Sequence, residues 1–316
     1  MVETSSSSTA VDARSSKKIW ASLVTNTNYL PGLLTLEYSL RAAGSKYPLV
    51  ALYTDTFPEE GHKALKARGI PSRRIARLSP SVSQDYTNDP RFHECWTKLA
   101  QFGLTDYDRV VQLDSDMLAL QNMDELMDME LDGPEQNGDG QRVFAASHAC
   151  ACNPLKKAHY PKDYIPENCA FTSQHSNPDQ AQETGALPSV GVGSLNGGLL
   201  VIVPSKGASD KIMEALSDGT RTSNYYFADQ ALLSDVFGER WVGLPYIYNA
   251  LKTMRAEDVH GKIWRDERVK NVHIILSPKP WEEKPGESPD VTHGWWHEMT
   301  ARRFAEESAK GIKDGF

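Results

Sequence analysis

The chain has 316 residues, 40% hydrophobic and 24% charged, enough to bury a core as one large α/β domain or two joined lobes. Its net charge of −8 argues against nucleic acid or an anionic membrane as a general partner, because neither surface attracts an acidic protein. A nucleotide stays open, since its few phosphates need only a local lysine and a metal ion.

Residues 1–17 are serine-rich, with neither the apolar stretch of a signal peptide nor a membrane span, and read as a disordered tail. No Asn-x-Ser/Thr sequon occurs. The four cysteines (Cys95, Cys150, Cys152 and Cys169) are too few and too unevenly placed for a disulfide framework. A cytoplasmic location is the expectation. Next comes an apolar run at 19–24 that stops at Thr25-Asn26, then helix-like spacing from Leu33 to Ala43 that stops at Gly44. Residues 48–53 read as a second buried strand and 59–68 as a charged helix stopped by Gly69. Residues 92–104 look helical, and the strand at 107–113 runs directly into Asp114-Ser115-Asp116. The polar stretches 133–141 and 172–189 read as loops flanking an inserted, substrate-side region. Regular structure resumes with 195–203, a helix from about Ser209, another around 227–237, a strand at 272–276 and a terminal amphipathic helix from Trp295. Strands alternating with helices predict a mostly parallel sheet covered on both faces, with ligands at the carboxyl ends of the strands.

The polar residues just past each apolar run are therefore the ones to inspect. Asp114 and Asp116 can both reach one hard divalent cation if the chain turns between them, and such a cation makes a diphosphate a better leaving group. Taken alone, the tripeptide reads equally well as a solvated strand end capping the next helix. A second motif, His273-Ile-Ile-Leu-Ser-Pro-Lys279-Pro-Trp281, offers an imidazole that manganese accepts beside oxygen ligands, and an ammonium that acts as a point charge on phosphate. A core histidine followed by a turn is the plainer reading of that motif by itself.

Together these segments resemble glycosyltransferase family eight, which contains glycogenin, galactinol synthase and bacterial lipopolysaccharide galactosyltransferases. The resemblance extends from about Ile19 to Trp281. Leu23-Val-Thr25-Asn26-x-x-Tyr29 is similar to the family's uridine-binding segment, and Trp96-Thr-Lys98-Leu99 to the one whose lysine faces the donor sugar. Asp114-Ser115-Asp116 matches the metal motif. Asn196-Gly197-Gly198 resembles the segment whose asparagine touches the sugar, and Asp229-Gln230 the pair beside the anomeric carbon. Leu244-Pro-x-x-Tyr248-Asn249 matches the segment before the His/Lys strand. Two positions depart: Leu276 stands where the family often has glycine, and Tyr226 where glycogenin has a second acid. The region 145–170, with its close cysteine pair and later cysteine, leans toward galactinol synthase-like plant and fungal members.

The resemblance implies a GT-A type α/β fold over 18–281, with a C-terminal loop and helix over 282–316. It implies retaining transfer of a hexose, galactose or glucose favoured, from a UDP-sugar to a small polyol or saccharide. Mn²⁺, with Mg²⁺ as a substitute, would be held by Asp114, Asp116 and His273. Lys279 would stabilise departing UDP, while Lys98, Asn196, Gly197, Asp229 and Gln230 would hold the sugar. In that reading Asp229 sits at a helix start whose N–H groups keep it ionised, and it organises the sugar without bonding to it. A self-glucosylating primer and a catalytically silent sugar-nucleotide binder are the alternatives, and a homodimer stays open. Cys150, Cys152 and Cys169, with His148 and His159, could be assembled into a zinc site. Cys-x-Cys is not the usual knuckle, and buried thiols are the plainer reading. Trp281, Trp295 and Trp296 read as core rather than as a sugar platform.

Overall fold

A computed structural model describes residues 16–90 and 92–316. The disordered tail expected over 1–17 lies, up to residue 15, outside the described residues. The main sheet contains β1 (Lys18–Val24), β2 (Leu49–Tyr53), β3 (Ser72–Arg74), β4 (Arg109–Leu113), β6 (Phe144–His148), β7 (Leu195–Ile202) and β8 (Val242–Gly243). Their order is β3-β2-β1-β4-β7-β6-β8, and β7 runs antiparallel to both of its neighbours while the remaining pairs are parallel. A second sheet, β5 (Met117–Ala119), β10 (Asn271–His273) and β9 (Ala250–Leu251), stands beside it in the order β5-β10-β9.

Both faces of the main sheet are covered, which explains why its central strands read as continuous apolar runs instead of alternating ones. Ile19, Ala21, Val110, Leu200 and Ile202 point to one face and meet Leu99, Phe102 and helices α3 (Lys206–Ser217) and α4 (Ala228–Phe237). Trp20, Val111, Leu113, Leu199 and Val201 point to the other and meet α1 (Leu30–Ala42) and α2 (Glu59–Ala67). This is the period-two alternation of strand side chains, with an apolar partner for each side. A third apolar cluster, including Leu118, Val272, Ile274 and Met254, supports the small sheet and the segment between β6 and β7.

Several boundaries differ from the sequence reading for local reasons. Residues 92–104 form one α-turn, Phe92–Cys95, followed by 3-10 helix over Trp96–Gly103. The helix expected from Ser209 begins at Lys206, because Ser205 caps it by accepting from Ala208 N–H at 3.2 Å. The terminal helix α5 spans Val291–Ala309, and Asp290 caps it through Thr292 N–H at 2.9 Å. It lies against α1, where the Thr35 and Thr300 hydroxyls share a buried hydrogen bond of 3.0 Å.

The antiparallel run of β7 sets up the site. It brings Asn196-Gly197-Gly198 to the carboxyl end of β4, where Asp114 N–H donates to Gly198 O at 2.8 Å. Helix α1 approaches the same turn from the other face. A Cβ on Gly32 would stand 2.3 Å from Ser115 O and 2.8 Å from the Trp281 ring. Gly32→Ala should therefore cost about 1–3 kcal/mol by overpacking. Denaturant unfolding measures this, and an unchanged midpoint would mean that α1 can move off the turn freely.

Candidate functional site

The carboxyl ends of β1, β4 and β10 open onto a cleft of about 290 Å³. Leu23, Thr25, Asn26 and Tyr29 line one side, Asp114, Ser115, Asp116 and His273 the floor, and Lys98, Asn196, Asp229 and Gln230 the opposite side. Lys279 and Gly197 are not part of the lining, although both contact residues that are. The residues expected to bind donor, metal or sugar thus lie in or against one cleft.

The floor is built by register. After β4 the chain turns so that Met117 N–H donates to Asp114 O at 3.1 Å, and β5 then pairs antiparallel with β10, placing His273 opposite Met117. His273 Nε2 lies 3.1 Å from Asp116 Oδ1 and 3.8 Å from Asp114 Oδ2. On the ring's far side, Asn249 Oδ1 lies 2.9 Å from Nδ1, and the Asn249 amide donates in turn to Asn196 Oδ1 at 2.9 Å. An amide oxygen only accepts, so Nδ1 carries a proton and Nε2 is the ring atom turned toward the two carboxylates, the one left to ligate a cation. Three ligand atoms within 4.8 Å of one another, all electron-rich, suit a divalent cation. The backbone must be bare for the ring to fit here. A Cβ on Gly198 would lie 2.4 Å from His273 Cε1.

Asp116 is buried, not the solvated strand end of the plainer reading. Burial opposes its charge, but the Lys279 ammonium and His273 hold it well below the usual carboxylate range. Lys279 Nζ donates to Asp116 Oδ2 at 2.5 Å and to Ile274 O at 2.7 Å. The lysine expected over a diphosphate is thus anchored behind Asp116. The Ser115 side chain also faces inward, sharing a hydrogen bond with Ser22 at 3.0 Å and donating to Leu23 O at 3.2 Å.

Lys98 links the floor to the far side. Its Nζ is 3.2 Å from Asp114 Oδ1 and 3.2 Å from Asp229 Oδ2, and it donates to Gly197 O at 3.3 Å. Burial works against that ammonium, but Asp114 and Asp229 outweigh it and raise its pKa. Asp229 stands in the first turn of α4, after Ala228 in the left-handed region at φ 45°. The Gln230 backbone N–H and Lys98 favour the charged form of this carboxyl, as a helix start would, but burial works against them. Burial pushes its pKa up to about 6, Lys98 opposing. Gln230 Oε1 accepts from Gly197 N–H at 3.3 Å. Leu276, which stands where the family often has glycine, is left-handed too, at φ 67°, a region its side chain adopts rarely. Tyr226 is 51% exposed and supplies nothing to this arrangement.

Two supporting residues carried no assigned role in the sequence. Asn249 fixes His273, and Gln112 donates to Asp114 Oδ1 at 2.9 Å. Asn249 was signalled by the segment Leu244–Asn249 but given no task. Gln112 reads as one polar residue inside an apolar strand, which was a usable signal.

Comparison with known proteins accords with this geometry. Residues 21–284 match the family model for glycosyl transferase family 8. An uncharacterized protein of Acanthamoeba polyphaga mimivirus is 28% identical over 258 residues, 81% of this chain and 79% of that one. Galactinol synthase 7 of Arabidopsis thaliana is 27% identical over 280 residues, 85% of this chain and 75% of that one. Galactinol synthase 2 of Solanum lycopersicum is 28% identical over 269 residues, 82% and 70%. Among solved structures, the glycosyltransferase GlyE of Streptococcus pneumoniae superposes with a TM-score of 0.58 at 18% identity, over 94% of this chain and 65% of that one. The galactosyltransferase LgtC superposes at 0.57 and 18% identity, over 90% and 96%. At such identity these structures speak to the fold, which is GT-A.

If Asn249 holds the His273 ring for a cation, Asn249→Ala should weaken divalent cation binding by about 10–100-fold. Calorimetric titration with Mn²⁺ reads this directly. An unaltered affinity would show that packing alone positions the ring.

Proposed function

The chain belongs to glycosyl transferase family 8, and on that premise we propose that it transfers a hexose from a UDP-sugar to a hydroxyl of a small polyol or saccharide, with retention. The observation that carries this reading is the meeting of Asp114, Asp116 and His273 on the floor of the cleft whose opposite side holds Lys98, Asn196, Asp229 and Gln230. Similarity to galactinol synthases favours galactose as the donor sugar and a polyol as the acceptor.

Asp114, Asp116 and His273 would hold Mn²⁺, with Mg²⁺ as a substitute, since a mixed nitrogen and oxygen set suits manganese. Such an ion supplies positive charge to the diphosphate and so eases its departure. Leu23, Thr25, Asn26 and Tyr29 form the side on which uridine would lie. Lys279 fixes the Asp116 carboxylate and adds a compact charge beside the leaving group. Asn196, Gln230, Lys98 and Asp229 orient the sugar, and the ionised Asp229 favours positive charge at the anomeric carbon. Asp229 lies beneath Gly197 and is tethered by Lys98, so it is placed to organise the sugar, not to swing in as a nucleophile. The acceptor hydroxyl then attacks from the face that UDP leaves. Residues 282–316, which pack through α5, would serve as a brace.

A panel of UDP-sugars, with and without polyols, monosaccharides and disaccharides, tests the reading by UDP release. Turnover should need an acceptor, stop in EDTA and return with Mn²⁺, and Asp116→Asn should remove most of it. Full activity in EDTA would overturn the metal assignment. Sugar added to the chain itself, seen by intact mass, would instead favour a self-glycosylating primer.

Asp229 gives a pH signature. Its carboxyl is raised to about 6, so it protonates as pH falls through that value, and the proposed role needs the charged form. kcat/KM, which reports the free enzyme, should therefore fall below about pH 6 with the slope of a single proton. Asp229→Asn should bind the UDP-sugar with nearly normal affinity, lose most turnover and still yield the retained anomer. A sugar trapped covalently on the Asp229 peptide would establish double displacement instead.

A further inference from the structure

Away from the cleft floor, three cysteines close around one histidine. The Sγ atoms of Cys150, Cys152 and Cys169 lie 3.4, 3.3 and 3.4 Å from Nε2 of His260, and all four atoms fall within 4.8 Å of one another. His260 and Cys169 are buried, and the other two thiols are half-buried. Hydrogen bonding does not explain this arrangement. A ring nitrogen has one proton or one lone pair, so it can satisfy one thiol, yet all three sulfurs stand at nearly the same distance from it.

A central ion does explain it. In a tetrahedral site with Zn–S near 2.3 Å and Zn–N near 2.05 Å, sulfur and nitrogen ligands stand about 3.5 Å apart. The three observed distances match that edge. His260 Nδ1 lies 2.9 Å from His175 Nε2, so the ring can donate from Nδ1 to His175 and turn an unprotonated Nε2 to the thiols. Phe171 packs 5.5 Å from the His260 ring, closing the cluster with apolar surface.

We propose that Cys150, Cys152, Cys169 and His260 bind a structural Zn²⁺. Four protein ligands fill the tetrahedron and leave no open position, which is the pattern of a structural and not a catalytic zinc. The histidines that the sequence offered are engaged elsewhere. His148 Nε2 faces the carbonyls of Ala186 and Leu187 at 3.2 and 3.1 Å, and His159 pairs with Asp89 at 2.9 Å. The ion would tie the segment after β6, the short helix Ala170–Ser173 and the loop before β10 into one unit. Cys150 itself lines the cleft beside Asn153 and Tyr160, so the clip would hold the wall that an acceptor meets.

Elemental analysis of the intact chain tests this, before and after dialysis against EDTA. The expected result is about one zinc per chain that survives EDTA, survives Asp114→Asn with Asp116→Asn, and disappears in Cys169→Ser. If Cys169→Ser does not fold, the wild type decides. Titrating its thiols with an organomercurial should release zinc to a chromophoric chelator in step with thiol modification. Native chain free of zinc, with thiols that react freely with a disulfide reagent, would overturn the site. So would a zinc that leaves with the aspartate substitutions, or a stoichiometric metal other than zinc that stays with the doubly substituted Asp114→Asn, Asp116→Asn chain and is lost in Cys169→Ser.

Discussion

Two carboxylates held at one strand end repel one another, and much of the surrounding structure manages that repulsion. At an effective dielectric near 20, like charges 4 Å apart oppose each other by about 4 kcal/mol. Lys98 and Lys279 offset this from opposite sides, one bridging Asp114 to Asp229 and the other anchored on Asp116. Both lysines are buried, and each would be costly without its carboxylate. The site is therefore a mutually dependent set of charges. The sheet had to deliver it intact: β4 brings the aspartates, β7 the glycines that let His273 close in, and β10 the histidine in register.

The alternation of strands and helices was legible because the β-strands are buried on both faces and run apolar until they end at polar residues. The same feature made Asp114 and Asp116 stand out, since they are the first charges after Arg109–Leu113. What sequence could not give was direction. Nothing in Leu195–Ile202 marks it as antiparallel to its neighbours, yet that orientation puts Gly198 beside Asp114. Nor could it give how far the Asp229 carboxyl is raised, because its burial depends on the whole fold.

The sulfur cluster shows the same limit from another side. The cysteines announced themselves by spacing, but their fourth partner is His260, far along the chain and embedded in an unremarkable polar stretch. Nearer histidines drew attention because proximity in sequence is the only distance a sequence displays. Leu276 is the opposite case. The sequence marks it only as standing where the family often has glycine, and the backbone there is left-handed.

The segment between β6 and β7 leaves the sheet at His148 and re-enters it at Leu195, and the next residue at each point, Ala149 and Asn196, lines the cleft. Because its exit and return are adjacent in the sheet, where His148 pairs with Leu195, the segment can change in length without disturbing a strand. It is in effect an exchangeable cassette, a place where lineages could swap one acceptor preference for another over an unchanged donor platform. The exchange carries one condition. A cassette bearing Cys150, Cys152 and Cys169 is complete only on a recipient that already presents His260, so the two stretches would have to travel together.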